Sequence, residues 1–182
     1  MKRQPLLWIW TVSIEIGIAE LHAAANLIPP VPLSIREEGV YHSVVRSDTG
    51  YVLETEQQTF WQRFTFFPTI HLGAGERAYL YSSIYSPTKL DADIVHDWQY
   101  YDPDQKKWVS ESQVFFHVVG GRTEGYRGYS YKTNLAAGTW RVYTKTGRGQ
   151  VIGRYQLKDD IEEKTPTLVE EVKSEEQKRK QV

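Results

Sequence analysis

From Gly39 to Leu157 no stretch of useful length keeps a helical period. Short runs rich in Val, Tyr, Phe, Trp and Thr are instead cut by clusters of turn-forming residues. The clusters are Ser47-Asp48-Thr49-Gly50, Gly73-Ala74-Gly75, Tyr101-Asp102-Pro103-Asp104, Gly120-Gly121-Arg122, Ala136-Ala137-Gly138 and Gly147-Arg148-Gly149. Between them the pattern predicts strands over 40–46, 51–56, 60–66, 77–85, 94–101, 114–119, 126–132, 139–146 and 151–157. In the run 139–146, Trp140, Val142 and Thr144 fall on one face and Arg141, Tyr143 and Lys145 on the other. So many short strands in a stretch of this length predict an all-β fold. The expected architecture is an antiparallel β-sandwich, Ig-like or jelly-roll-like.

The 182 residues suffice for one such domain plus terminal segments. The chain contains no cysteine, which excludes a disulfide scaffold, thiolate metal sites and a thiol nucleophile. Its net charge of -1 conceals a strong asymmetry. Residues 31–117 carry 7 basic and 12 acidic side chains, whereas 118–157 carry 7 basic side chains and only Glu124 as an acid, a segment of net +6.

The ends are of a different character. Pro5 to Pro30 is apolar, broken by Glu15, Glu20 and His22. A membrane-crossing helix, a cleaved signal peptide and a buried helix compete for it, and residues 1–27 are expected to be a membrane-associated helix. Its two carboxylates cost about 2.5–3.5 kcal/mol each near a bilayer centre unless protonated or paired. If it spans, Lys2-Arg3 favours an inside N-terminus and an outside domain. Pro29, Pro30 and Pro32 stop that helix, making 28–38 a stiff linker ahead of a β-domain over 39–157. Residues 158–182 read as a charged tail, disordered or a frayed helix from Thr165-Pro166 onward.

The stretch Gly75–Tyr155 resembles a bacterial family known as domain of unknown function 2914. The resemblance is carried by Gly75-Glu76-Arg77-Ala78-Tyr79 and His96-Asp97-Trp98-Gln99-Tyr100-Tyr101-Asp102. It continues through Gly120-Gly121-Arg122, Gly125-Tyr126-Arg127-Gly128-Tyr129-Ser130, Lys132, Gly138-Thr139-Trp140-Arg141-Val142 and Gly153-Arg154. Asn26 to Leu33 is also similar to the exit from the last membrane helix of longer relatives, which carry a multi-spanning bundle before the β-domain. The resemblance implies a membrane-associated β-domain and supplies no reaction.

Few groups in the sequence have the makings of chemistry. Asp91-x-Asp93-x-x-His96 has metal-ligand residue types, but in one strand 91 and 93 face opposite to 96. His42, His71 and His117 have no partner at ligand spacing, and His117 reads as a sheet histidine. No G-x-S-x-G elbow is present, and Gly147-Arg148-Gly149 lacks the helix a phosphate loop needs. The best candidate is Gly120 to Lys132, in which Arg122, Arg127 and Lys132 stand among Tyr126, Tyr129 and Tyr131. Arginine forks take carboxylate or phosphate, and tyrosines stack on sugars, so this segment is expected to bind an anion such as a lipid headgroup or an acidic glycan. The competing reading folds these cations back onto Asp91, Asp93, Asp97, Asp102 and Glu111. Trp98, Tyr100 and Trp108 offer a second idea, an aromatic platform, against plain core packing. The expectation is therefore a non-enzymatic domain without a cofactor, held on the periplasmic or extracellular side of a bacterial cytoplasmic membrane. Its partners would be membrane lipid or an integral membrane bundle, with an acidic glycan as the alternative and no nucleic acid.

Overall fold

A computed structural model describes residues 33–48, 50–57, 67–73, 75–87, 89–120, 125–160 and 166–174. They form eleven strands and, among the described residues, no helix. The strands are β1 (Ser34–Tyr41), β2 (Ser43–Ser47), β3 (Gly50–Glu56), β4 (Thr69–Ile70), β5 (Arg77–Tyr85) and β6 (Leu90–Asp102), then β7 (Lys107–Gly120), β8 (Tyr126–Thr133), β9 (Gly138–Thr146), β10 (Val151–Asp159) and β11 (Leu168–Ser174). They assemble into a five-stranded sheet ordered β4-β10-β9-β6-β7, a three-stranded sheet β1-β5-β8, and a second three-stranded sheet β11-β3-β2. All pairings are antiparallel except the short β4–β10 contact.

Alternation along β5 explains the layering. Ala78, Leu80 and Ile84 face the five-stranded sheet, where Ala78 and Leu80 pack with Trp98, Trp140, Val142 and Leu157. Tyr81 faces the other way and is fully buried with Tyr41, Val44 and Leu53 beneath the β11-β3-β2 sheet. The middle sheet is therefore covered on both faces. Gly128 in β8 lets the layers approach, because a Cβ there would sit 2.6 Å from Phe116 Cε2 of β7.

Most expected strands form, several of them longer than expected. The β6–β7 hairpin turns where the sequence places a turn: Pro103 presets φ, and Asp102 Oδ1 accepts the backbone N–H of Asp104 at 2.9 Å and of Gln105 at 3.0 Å. The run 40–46 divides into β1 and β2 at His42, and β1 begins at Ser34, so the second half of the expected linker is strand. The charged tail also departs from expectation. Residues 168–174 are neither disordered nor a frayed helix but pair with β3 along its whole length. Leu168 and Val172 stay exposed, so the ladder hydrogen bonds, the Lys173–Glu37 ion pair and Arg127 hold this strand in place of an apolar face. The expected strand 60–66, the helix over 1–27 and the prolines up to Pro32 lie outside the described residues. Among the described residues no helix is long and apolar enough to cross a membrane.

Candidate functional site

The described side chains of the segment expected to bind an anion do not converge. Tyr126 is buried with Ile84, Ile94 and Val118. Lys132 lies on the same face of β8 and sits 5.4 Å from the Trp140 ring. Arg127 and Tyr129 project from the opposite face. There the half-buried Arg127 donates Nη1 to the backbone oxygen of Lys173 at 3.2 Å, which ties β11 down. Tyr129 is 39% exposed beside Tyr51 and Tyr79. Arg122 lies outside the described residues. At Trp98 the core-packing reading holds over the aromatic platform: the side chain is fully buried and donates Nε1 to Ser130 Oγ at 3.0 Å. Tyr100 leans on Trp140, ring centres 5.0 Å apart, and donates its hydroxyl to the Ala137 carbonyl.

His96 belongs to the interior as well. Its Nε2 lies 2.9 Å from Ser82 Oγ and its Nδ1 2.8 Å from Ser130 Oγ. Burial pushes its pKa down to about 3, so the ring is neutral, and it accepts from one serine while donating to the other. Asp91 and Asp93 face outward and meet His117 across the β6–β7 pair, at 3.3 and 2.8 Å. The Asp91-x-Asp93-x-x-His96 set is thus split by strand alternation. His42 and His71 converge instead on Glu56, whose two carboxylate oxygens lie 2.9 and 2.8 Å from their rings. Burial raises the Glu56 pKa, but these bonds outweigh it and hold the carboxyl below its usual range. Among the described residues no group of three or more such side chains is arranged to hold a metal ion.

The most organised polar surface is the outer face of the five-stranded sheet. Because Trp140, Val142 and Thr144 point into the core, Arg141, Tyr143 and Lys145 point out of it. Register places Arg141 beside Gln99, Tyr143 beside Asp97, and Trp108 beside Tyr101. Asp97, only 1% exposed, is the hub. It takes Lys145 Nζ at 2.6 Å, Ser110 Oγ at 2.5 Å and Gln99 Nε2 at 2.6 Å. Burial pushes the Asp97 carboxyl up, yet these donors prevail and hold it below the ordinary aspartate range. Arg141 lies 4.1 Å from the Trp108 ring centre and 4.8 Å from that of Tyr143. Its Nε donates to Gln99 Oε1 at 2.8 Å, and among the described residues its terminal amino groups have no hydrogen-bond partner. Arg154, exposed on β10, stands beside Tyr143. A guanidinium stacked on two rings and anchored through Nε is pre-organised to grip a carboxylate in two-pronged fashion.

Sequence reasoning had the outward face of β9 but not its neighbours. The pairing of β9 with β6 that brings Asp97 and Gln99 alongside has no local signature.

The described residues define an all-β sandwich of antiparallel sheets. Residues 91–158 match the model of the family described as "Protein of unknown function (DUF2914)", which bears out the family resemblance and spans β6 to β10 almost entirely. No curated protein matches the sequence significantly. Among solved structures, an immunoglobulin-like protein from Pseudomonas aeruginosa is similar at 10% identity and a TM-score of 0.39, over 72% of this chain and 99% of that one. A β-glucosidase from Listeria innocua in complex with isofagomine is similar at 10% identity and a TM-score of 0.31, over 68% of this chain and 16% of that one.

Proposed function

We propose that the chain is a non-enzymatic binding protein held on the outer side of a bacterial cytoplasmic membrane, and that its β-domain binds an acidic glycan. The glycan lies across the outer face of the five-stranded sheet. The observation that carries this reading is the Arg141 clamp, stacked between Trp108 and Tyr143 and fixed through Gln99 to the buried Asp97. Stacked rings offer surface to the faces of sugar rings, and the guanidinium offers two parallel donors to a uronic-acid carboxylate. An open, polar sheet face suits a polymer better than a small molecule, which wants a concavity. The apolar run from Pro5 to Pro30 is the part of the chain that engages the membrane partner, lipid or helical bundle.

Calorimetric titration of the full chain with a uronic-acid oligosaccharide tests the binding. Arg141→Ala is expected to weaken affinity roughly tenfold or more, since a charge-assisted bond contributes about 1.5–3 kcal/mol. Equal affinity in a folded Arg141→Ala variant refutes the site. A reporter fused after Val182 tests the location, and a cytoplasmic signal sinks it.

A further inference from the structure

Strand β7 runs for 14 residues along one edge of the five-stranded sheet. Among the described residues it bonds only to β6. Proteins usually blunt such an edge with lysines, prolines, bulges or a short strand, because unpaired backbone groups recruit another strand. Here the blunting is missing over most of the length. From Ser112 to Gly120 the strand holds no Lys, Arg, Asp, Glu or Pro, and its register irregularity falls earlier, opposite Trp98 and Gln99. Among its outward side chains, which also include the polar Gln113 and His117, Phe115 is 63% exposed and Val119 65%. Phe115 stands beside Val95 on the same face that carries Asp97 and Arg141.

We infer that β7 pairs antiparallel with β7 of a second copy of this chain, about a two-fold axis through Phe115. That register suits this strand. It sets Phe115 against the partner's Phe115, Val114 against the partner's Phe116, and Gln113 against the partner's His117. Each pair is like with like: two aromatic rings meet at the axis, apolar Val114 and Phe116 meet beside it, and polar Gln113 and His117 meet beyond them. An isologous contact of this kind closes after two copies and consumes both free edges. The axis is perpendicular to the sheet, so both Arg141 faces lie on the same side of one continuous ten-stranded surface. The pairing does not depend on the glycan reading. If both hold, one polymer crosses two sites and gains avidity from their linkage.

The absence of cysteine makes the register directly readable. Residues directly opposite in an antiparallel pair have Cα atoms about 4.5–5.5 Å apart, within disulfide reach. The full chain carrying Phe115→Cys is therefore expected to form a covalent dimer under mild oxidation, roughly tenfold or more faster than one carrying Val151→Cys, because pairing holds the thiols at high effective concentration. Val151 is 52% exposed on β10 and serves as the collisional control. Sedimentation should show the parent chain as a dimer and Phe115→Lys as a folded monomer. Cross-linking no faster than the control, or a parent chain that sediments as a monomer, overturns the inference; the latter result leaves the edge to a strand from a different protein. None of these readouts involves glycan, so failure here and failure of the binding site are distinguishable.

Discussion

Glu38 gives the most quantitative handle on how the two main sheets are joined. It projects from β1 between the sheets, where its Oε1 accepts the Thr144 hydroxyl of β9 at 2.6 Å. Burial raises its pKa from 4.5 to about 7, and the Thr144 bond lowers it only in part. The folded state therefore holds a proton that the unfolded chain releases. Below pH 4.5 both states are protonated and ionisation costs nothing. As pH climbs from 4.5 to about 7 the unfolded state ionises first, and stability falls. The difference is worth about 3 kcal/mol, at about 1.36 kcal/mol per pH unit of separation. Glu38→Gln keeps the shape and the acceptor for Thr144 but cannot ionise. Urea melts of both proteins from pH 4 to pH 8 should show nearly equal stabilities at pH 4 and a variant about 2–3 kcal/mol more stable at pH 8. A stability difference that does not change with pH would refute the argument, because it would mean that Glu38 ionises as freely in the folded state as in the unfolded chain.

Two further substitutions test the layers on either side. Asp97→Ala leaves Lys145 without its carboxylate and three side-chain donors without their acceptor, and should cost about 3 kcal/mol in chemical denaturation. Because the Asp97 pKa is depressed in the folded state, that cost is present above pH 3.8 and shrinks as pH falls below it. Gly128→Ala pushes a methyl group against the Phe116 ring and should cost about 1–3 kcal/mol; adding Phe116→Leu should recover part of the loss if the clash is its cause.

The fold was legible where the signal is local. Turn chemistry placed the Asp102–Pro103 hairpin, and period-two alternation divided β9 into a core face and an outer face. What the chain could not disclose by itself was register. Tyr126 read as an accessible aromatic and Trp98 as either platform or core, but each lies on the inward side of a strand within a sandwich whose other half comes from distant sequence. Arg127 read as a ligand group, but the strand it secures, β11, looked too polar to dock. That strand is held by backbone pairing to β3 and by charged side chains, neither of which a search for apolar periodicity detects. The Asp97 hub escaped for the same reason. Its donors come from β6, β7 and β9, with Ser110 and Lys145 separated from it by 13 and 48 residues.

The central claim is that ligand binds on the outer face of the five-stranded sheet. Backbone-amide NMR of the isotope-labelled full chain, titrated with a uronic-acid oligosaccharide, tests it most directly. The account predicts shift changes concentrated at Gln99, Trp108, Arg141 and Tyr143 and their neighbours on β6, β7 and β9, abolished by Arg141→Ala. Changes confined to Tyr129 and Tyr131 on β8, or no changes at all, would contradict it.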